Sequence, residues 1–168
     1  YAVTLKANGG SFGGSYTNID DFANQFLADF NTYGNCSVTK AEFMTGSSAP
    51  VKVALANSEM LTKYQWFFEY MYEDLQATYP DVTSSYLVDA YPVLEKIIAG
   101  NTSAIADSAN ARTMIRSYIH AIMNKTKGSP STHAEFAKYT PDFADAAVIS
   151  AFENAFPGSE QTVSLSIE

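Results

Sequence analysis

Residues 58–78 read SEMLTKYQWFFEYMYEDLQAT, and the spacing of their apolar members decides what kind of fold the chain can make. Leu61, Tyr64, Phe67, Phe68, Met71, Tyr72 and Leu75 recur at helical intervals, which predicts one buried-face helix from about Ser58 to Thr78, ended by Pro80. A stripe this aromatic has to be covered by other elements, so this segment is expected to be the core of the fold. A second face carries Trp66, Tyr70 and Glu73 at i, i+4 and i+7, offset from the first. Large aromatics there either meet another part of the same core or form a contact surface.

Working outward, the same period recurs on both sides. Thr17 and Asp20 form a capping-box-like start for a helix carrying Ile19, Phe22, Phe26, Leu27, Phe30 and Tyr33 on one face, stopped by Gly34. A shorter element opens at Thr39 with Glu42 three residues on, carries Phe43 and ends at residues 45–50. Pro92 predicts a turn followed by a helix from about Tyr91 to Ala99, closed by Gly100. A helix over about Ser108 to Lys127 buries Met114, Ile115, Tyr118, Ile119, Ile122 and Met123. A short one surrounds Phe136, and the last is capped by Thr140, with Pro141 in its first turn and Phe143, Ala147, Val148, Ala151, Phe152 and Ala155 inward.

The ends read differently. Tyr1, Val3 and Leu5 alternate with Ala2, Thr4 and Lys6, a half-buried strand pattern, and ANGGS at 7–11 supplies a turn toward Phe12 and Tyr16. Val163, Leu165 and Ile167 alternate against Ser164 and Ser166. The expected class is therefore α+β and predominantly α: a bundle of about five to six helices, with a small β-sheet formed by the N-terminal hairpin and the C-terminal strand, all in one domain over residues 1–168.

Composition narrows the chemistry. With 46% hydrophobic and 14% aromatic residues there is ample core material, while 10 basic against 18 acidic residues give a net charge of -8. The few basic residues are scattered, which argues against nucleic acid as a partner. No apolar run approaches the roughly 20 residues that span a bilayer, and no amphipathic helix has a lysine-rich face, so direct membrane insertion is not expected. Cys36 is the lone cysteine, with no base beside it in sequence. Tyr1 stands where a start methionine would, which suggests processing, excision from a longer chain or a start that lies ahead of Tyr1.

Searching for a reactive constellation gives nothing positive. His120 falls mid-helix and His133 in a loop, and neither has the spaced partners of a metal site. NGGSFGG at 8–14 lacks the Lys-Ser/Thr of a phosphate loop and is read as a hairpin or bulge tract, so no serine nucleophile elbow is expected. Asp20 and Asp21 suit the first turn of a helix, and Glu69, Glu73 and Asp74 a solvated helix face. The NxS/T matches at Asn35, Asn101 and Asn124 are what chance supplies. No catalysis, cofactor or metal is expected.

Residues 3–12, VTLKANGGSF, resemble the opening of the Listeria-Bacteroides repeat, a small β-grasp module of bacterial surface proteins whose first strand reads like VTFDANGG; Lys6 stands where that family usually has Asp. The resemblance implies a first hairpin and an extracellular or cell-surface setting. The texture of few charges and many Ala, Ser, Thr, Asn and Tyr is also similar to small virion proteins of phages.

Strand-forming ends on a helical chain expose backbone donors and acceptors that invite further strands. The expected function is a non-catalytic structural or assembly protein, exported or part of a phage virion. It would associate with itself or with other shell or surface proteins through strand edges at Val3, Leu5, Val163, Leu165 and Ile167. The alternative is an extracellular module that binds glycan or protein through Trp66 and Tyr70.

Overall fold

The computed structural model describes residues 2–6, 16–45, 49–80, 85–127, 134–157 and 160–164. The helices are α1 (Ile19–Tyr33), α2 (Lys40–Thr45), α3 (Ala49–Ala54), α4 (Ser58–Lys63), α5 (Gln65–Thr78), α6 (Ser85–Ile98), α7 (Ala109–Asn124), α8 (Ala134–Ala137) and α9 (Ala146–Asn154), with a 3₁₀ turn at Ala104–Asp107. α7 sits in the middle: α6 and α1 pack on it directly, with α2, α3 and α8 around them, while α5 lies against α6.

The α+β expectation is corrected here. Every described regular element between Tyr16 and Pro157 is a helix, and the helices pack on one another instead of covering a sheet. Among the described residues the one β feature is a backbone ladder, where Ala2–Lys6 runs antiparallel to Glu160–Ser164. The expected return strand from Phe12 falls largely outside the described residues. Period-two alternation is a local signal; a sheet layer needs three or more strands with a shared apolar face, and the helices meet that demand for burial among themselves.

Two further expectations change. The 58–78 helix breaks at Tyr64, which ends α4 and begins α5 with φ -108° and ψ 15°. Tyr64 is fully buried, and its hydroxyl donates to Asp29 Oδ2 of α1 at 2.6 Å, the oxygen that also takes Lys63 Nζ at 2.6 Å. That tertiary anchor outweighs one continuous turn. The most enclosed helix is instead α7, in which every residue from Met114 to Met123 is buried. Its off-stripe positions Arg116, Ser117 and His120 are buried too. The Arg116 guanidinium donates to the carbonyls of Glu42 and Phe43 and lies 4.8 Å from the Phe43 ring centroid, a cation held by dipoles and a π face.

Other signals hold. Thr39 and Glu42 make the reciprocal capping box before α2. At α1 the cap moves one residue: Asn18 Oδ1 accepts from Asp21 N at 2.8 Å, and Asp21 Oδ2 accepts from Thr17 N at 3.0 Å. Glu153 of α9 also takes part, since its Oε2 accepts from Ile19 N at 2.8 Å across 134 residues of sequence. Gly34 ends α1, and a Cβ there would stand 2.6 Å from Phe30 O; the left-handed conformation falls on Asn35 instead, with φ 49°. The expected turn at Pro92 is corrected: α6 starts at Ser85, ahead of the expected Tyr91, and runs through Pro92, tolerated because it is exposed and because Val88, whose carbonyl loses the bond, faces solvent at 51%. The last helix starts at Ala146 with Asp145 as its cap; Thr140 serves elsewhere, and Ala147 and Ala151 are exposed.

The buried apolar side chains form one cluster whose densest point is aromatic. Phe22 of α1 meets Phe152 of α9 edge-on at 5.1 Å, with Trp66 and Phe67 of α5 at 5.4 Å and Tyr16 at 5.3 Å. Such rings each bury large areas and gain further from edge-to-face geometry. Replacing Phe22→Ala should therefore cost about 3–5 kcal/mol in urea denaturation; a loss below about 1 kcal/mol would show that this junction does not bear on stability.

Candidate functional site

The second face of α5 runs through Trp66, Tyr70, Asp74 and Thr78, each four residues on. Trp66 and Tyr70 are half-buried, and both are tied into the core: Trp66 lies 5.8 Å from Phe152 and 5.6 Å from Phe156 and Tyr16, and Tyr70 sets its ring at 5.1 Å from Phe152. Burial, helped by the nearby Asp74 charge, pushes the Tyr70 phenol up to about 12. Glu73 is exposed, and Asp74 is the carboxylate that continues this face inward.

Asp74 is partly buried. Its Oδ2 accepts a 2.6 Å hydrogen bond from the hydroxyl of Tyr118, fully buried on α7. Burial raises the Asp74 carboxyl above the ordinary carboxylate value, and the Tyr118 hydrogen bond only partly opposes it. The Tyr118 phenol is driven far up, by burial first and then by the Asp74 charge.

Beside Asp74 opens a cleft of about 210 Å³, lined by Thr78 and Tyr79 at the end of α5, by Lys127 after α7, and by the 138–142 connection into α9. Hydrogen bonds fix its walls. Tyr79 donates its hydroxyl to the Lys138 carbonyl at 2.8 Å, and Thr140 donates to the carbonyls of Ala137 and Lys127. Phe143 N donates to Thr126 O at 3.0 Å, and Asp142 Oδ1 accepts from Ala144 N at 2.9 Å. The Tyr79 and Tyr139 rings stand at 80° to each other with centroids 5.0 Å apart, and Tyr91 closes the end of α5 by donating to the carbonyls of Leu75 and Tyr79.

Of the other residues singled out from sequence, Val3 lies opposite Val163 in the terminal ladder and Leu5 opposite Gln161. Leu165, Ile167 and His133 lie outside the described residues. His120 is buried in α7, and Cys36 Sγ lies 3.3 Å from Asn31 Oδ1. Among the described residues no group of three or more His, Cys, Asp or Glu side chains could hold a metal ion, and no helix is long and apolar enough to cross a membrane.

Sequence reasoning placed Asp74 on a solvated face. The signal that points to it is the four-residue step from Tyr70; Tyr118 and the 138–142 wall carry no spacing that links them to it. Comparison with protein-family models, curated proteins and solved structures finds no match, so the chemistry of the cleft has to be read from its own geometry.

The Asp74 shift fixes a pH dependence. The folded carboxyl holds its proton to a higher pH than the unfolded one, whose ordinary value is 3.8, so the folded state binds more protons between the two values. This group's contribution therefore becomes more favourable as pH falls through that window. Urea midpoints should show Asp74→Asn gaining most on the wild type near neutral pH, with the difference shrinking toward about pH 4; a difference independent of pH would contradict the burial of this charge.

Proposed function

We propose that this protein is non-catalytic and works by binding a partner protein at the Asp74–Tyr79–Tyr139 cleft. The observation that carries the reading is that four of the cleft's polar side chains, those of Asp74, Tyr79, Thr140 and Asp142, are already committed to the fold. Thr140 and Tyr79 spend their hydroxyl hydrogens on backbone carbonyls, Asp74 takes the Tyr118 hydrogen, and Asp142 holds a turn. A nucleophile needs a base within reach and freedom to move, and raised tyrosine phenols cannot act as bases near neutral pH. What remains is a lining of mixed polar groups and rings, suited to recognition.

The low charge content and the likeness of residues 3–12 to a bacterial surface repeat support an extracellular, cell-surface or virion setting for this role. No nucleic acid, membrane insertion or cofactor enters it. A glycan is the competing ligand, since rings and carboxylates also hold sugars.

Hydrogen–deuterium exchange on the protein purified with its native partners, compared with the isolated chain, tests the reading. Amides of 74–79 and 138–142 should be protected in the complex. Protection elsewhere with these segments unchanged would end it.

The terminal ladder supports a second reading, assembly through backbone edges. Ala2–Lys6 and Glu160–Ser164 pair only with each other among the described residues, and the large hydrophobics exposed on the helices are the separate Val53 and Val88. Deleting residues 160–168 should then abolish incorporation into the native assembly while the helical signal persists; full incorporation of the folded truncation would refute it.

A further inference from the structure

The bend between α4 and α5 hangs on a single carboxylate oxygen. We infer that this junction is a two-state joint: the bent form exchanges with a straight one, a continuous helix over residues 58–78, and Asp29 sets the balance by holding Tyr64 in the bent form. Nothing within the segment itself asks for the bend. Residues 58–78 contain neither proline nor glycine, the usual local causes of a kink. The buried side chains Leu61, Tyr64, Phe68, Met71 and Leu75 step by three and four residues straight through the joint. A straight helix would turn the same side chains to the core, so apolar burial does not choose between the forms.

Hydrogen bonds do choose. In the bent form Tyr64 N still donates to Met60 O at 3.1 Å, while Tyr64 O accepts from both Phe67 N at 3.0 Å and Phe68 N at 3.1 Å. The amides of Gln65 and Trp66 have no backbone acceptor among the described residues, and Tyr64 gives them no side-chain cap. Straightening would hand these two amides the carbonyls of Leu61 and Thr62 and move Phe67 N to the Lys63 carbonyl, so the bent form forgoes two main-chain bonds.

Against those two bonds stand the Tyr64 hydroxyl on Asp29 Oδ2 at 2.6 Å and Lys63 Nζ on the same oxygen at 2.6 Å. The first is charge-assisted and about twice as strong as a neutral bond. Lys63 is exposed, and an ion pair of that kind adds little. One charged bond against two neutral ones leaves a small difference in favour of the bent form, the condition for a populated alternative. The moving arm is α4. Gln65 Nε2 donates to Ile98 O at 2.9 Å and keeps the start of α5 on the end of α6, while the Tyr64 ring, edge-on to Phe26 at 4.9 Å, marks the pivot.

Backbone NMR of the full chain tests this. Tyr64→Phe removes the hydroxyl and keeps the ring; it should move the Cα resonances of residues 62–66 toward helical values and slow hydrogen exchange at the Gln65 and Trp66 amides about tenfold or more, with α7 unchanged. Asp29→Ala, which takes the acceptor from both donors, should do the same, and Lys63→Met should do so to a smaller extent. In the wild type, relaxation dispersion at 62–66 should report a minor form with the shifts that Tyr64→Phe makes dominant. The inference is overturned if folded Tyr64→Phe and Asp29→Ala leave the joint's shifts and exchange unchanged. It is overturned equally if both speed exchange at Gln65 and Trp66, since Asp29 would then be holding a helix end that otherwise frays. Should neither variant fold, Lys63→Met and the wild-type dispersion decide, and a wild type with no minor form, beside a Lys63→Met joint that does not move, ends the idea.

Discussion

The edge-to-face meeting of Phe22 and Phe152 is the contact on which the arrangement of the other elements depends. It brings the first long helix against the last, and α5 joins them through Trp66, Phe67 and Tyr70. With only 17% charged residues, the chain has little else to hold helices together. The ion pairs among the described residues are Lys63–Asp29 and Lys125–Asp20, and the second is largely exposed and so worth little. Ring packing, directional and close, therefore fixes the helix positions that simple apolar burial would leave loose.

The cleft follows from that arrangement. α9 can sit on α5 only if the chain entering it crosses the end of α5, and this crossing, residues 138–142, is the outer wall. Thr140 and Phe143 stitch the crossing back to the segment after α7, and Tyr79 ties it to α5. Several of the groups that line the cleft are thus the ones that hold the crossing in place. Its chemistry is a by-product of how the last helix is delivered.

Legibility in the sequence tracks how local each cause is. The stripe of α1, the capping box at Thr39 and Glu42, and the left-handed stop at Gly100 are set within a few residues, and they could be read directly. The break at Tyr64 could not, because its cause is Asp29, on another helix. Nor could the burial of Arg116 and His120: both lie off the apolar stripe, and only the elements wrapped around α7 enclose them. Asp74 has an acidic residue's ordinary look until Tyr118 is brought to it. The strand pattern at the ends is genuine as periodicity, yet it yields a two-stranded ladder and no layer, because the helices satisfy each other's apolar faces without a sheet.

The carboxylate of Glu153 on the Ile19 amide has a consequence for the order in which the molecule completes itself. The donor emerges from the ribosome 134 residues ahead of its acceptor, so over that interval α1 has an open amide at its first turn and Phe22 lacks the ring that seats it. Early helices can coil and collapse in the meantime, but the closing bond waits for Glu153, as expected for a contact of such sequence separation. A nascent fragment released before residue 153 would carry every helix up to α8 and still have its first helix unfastened.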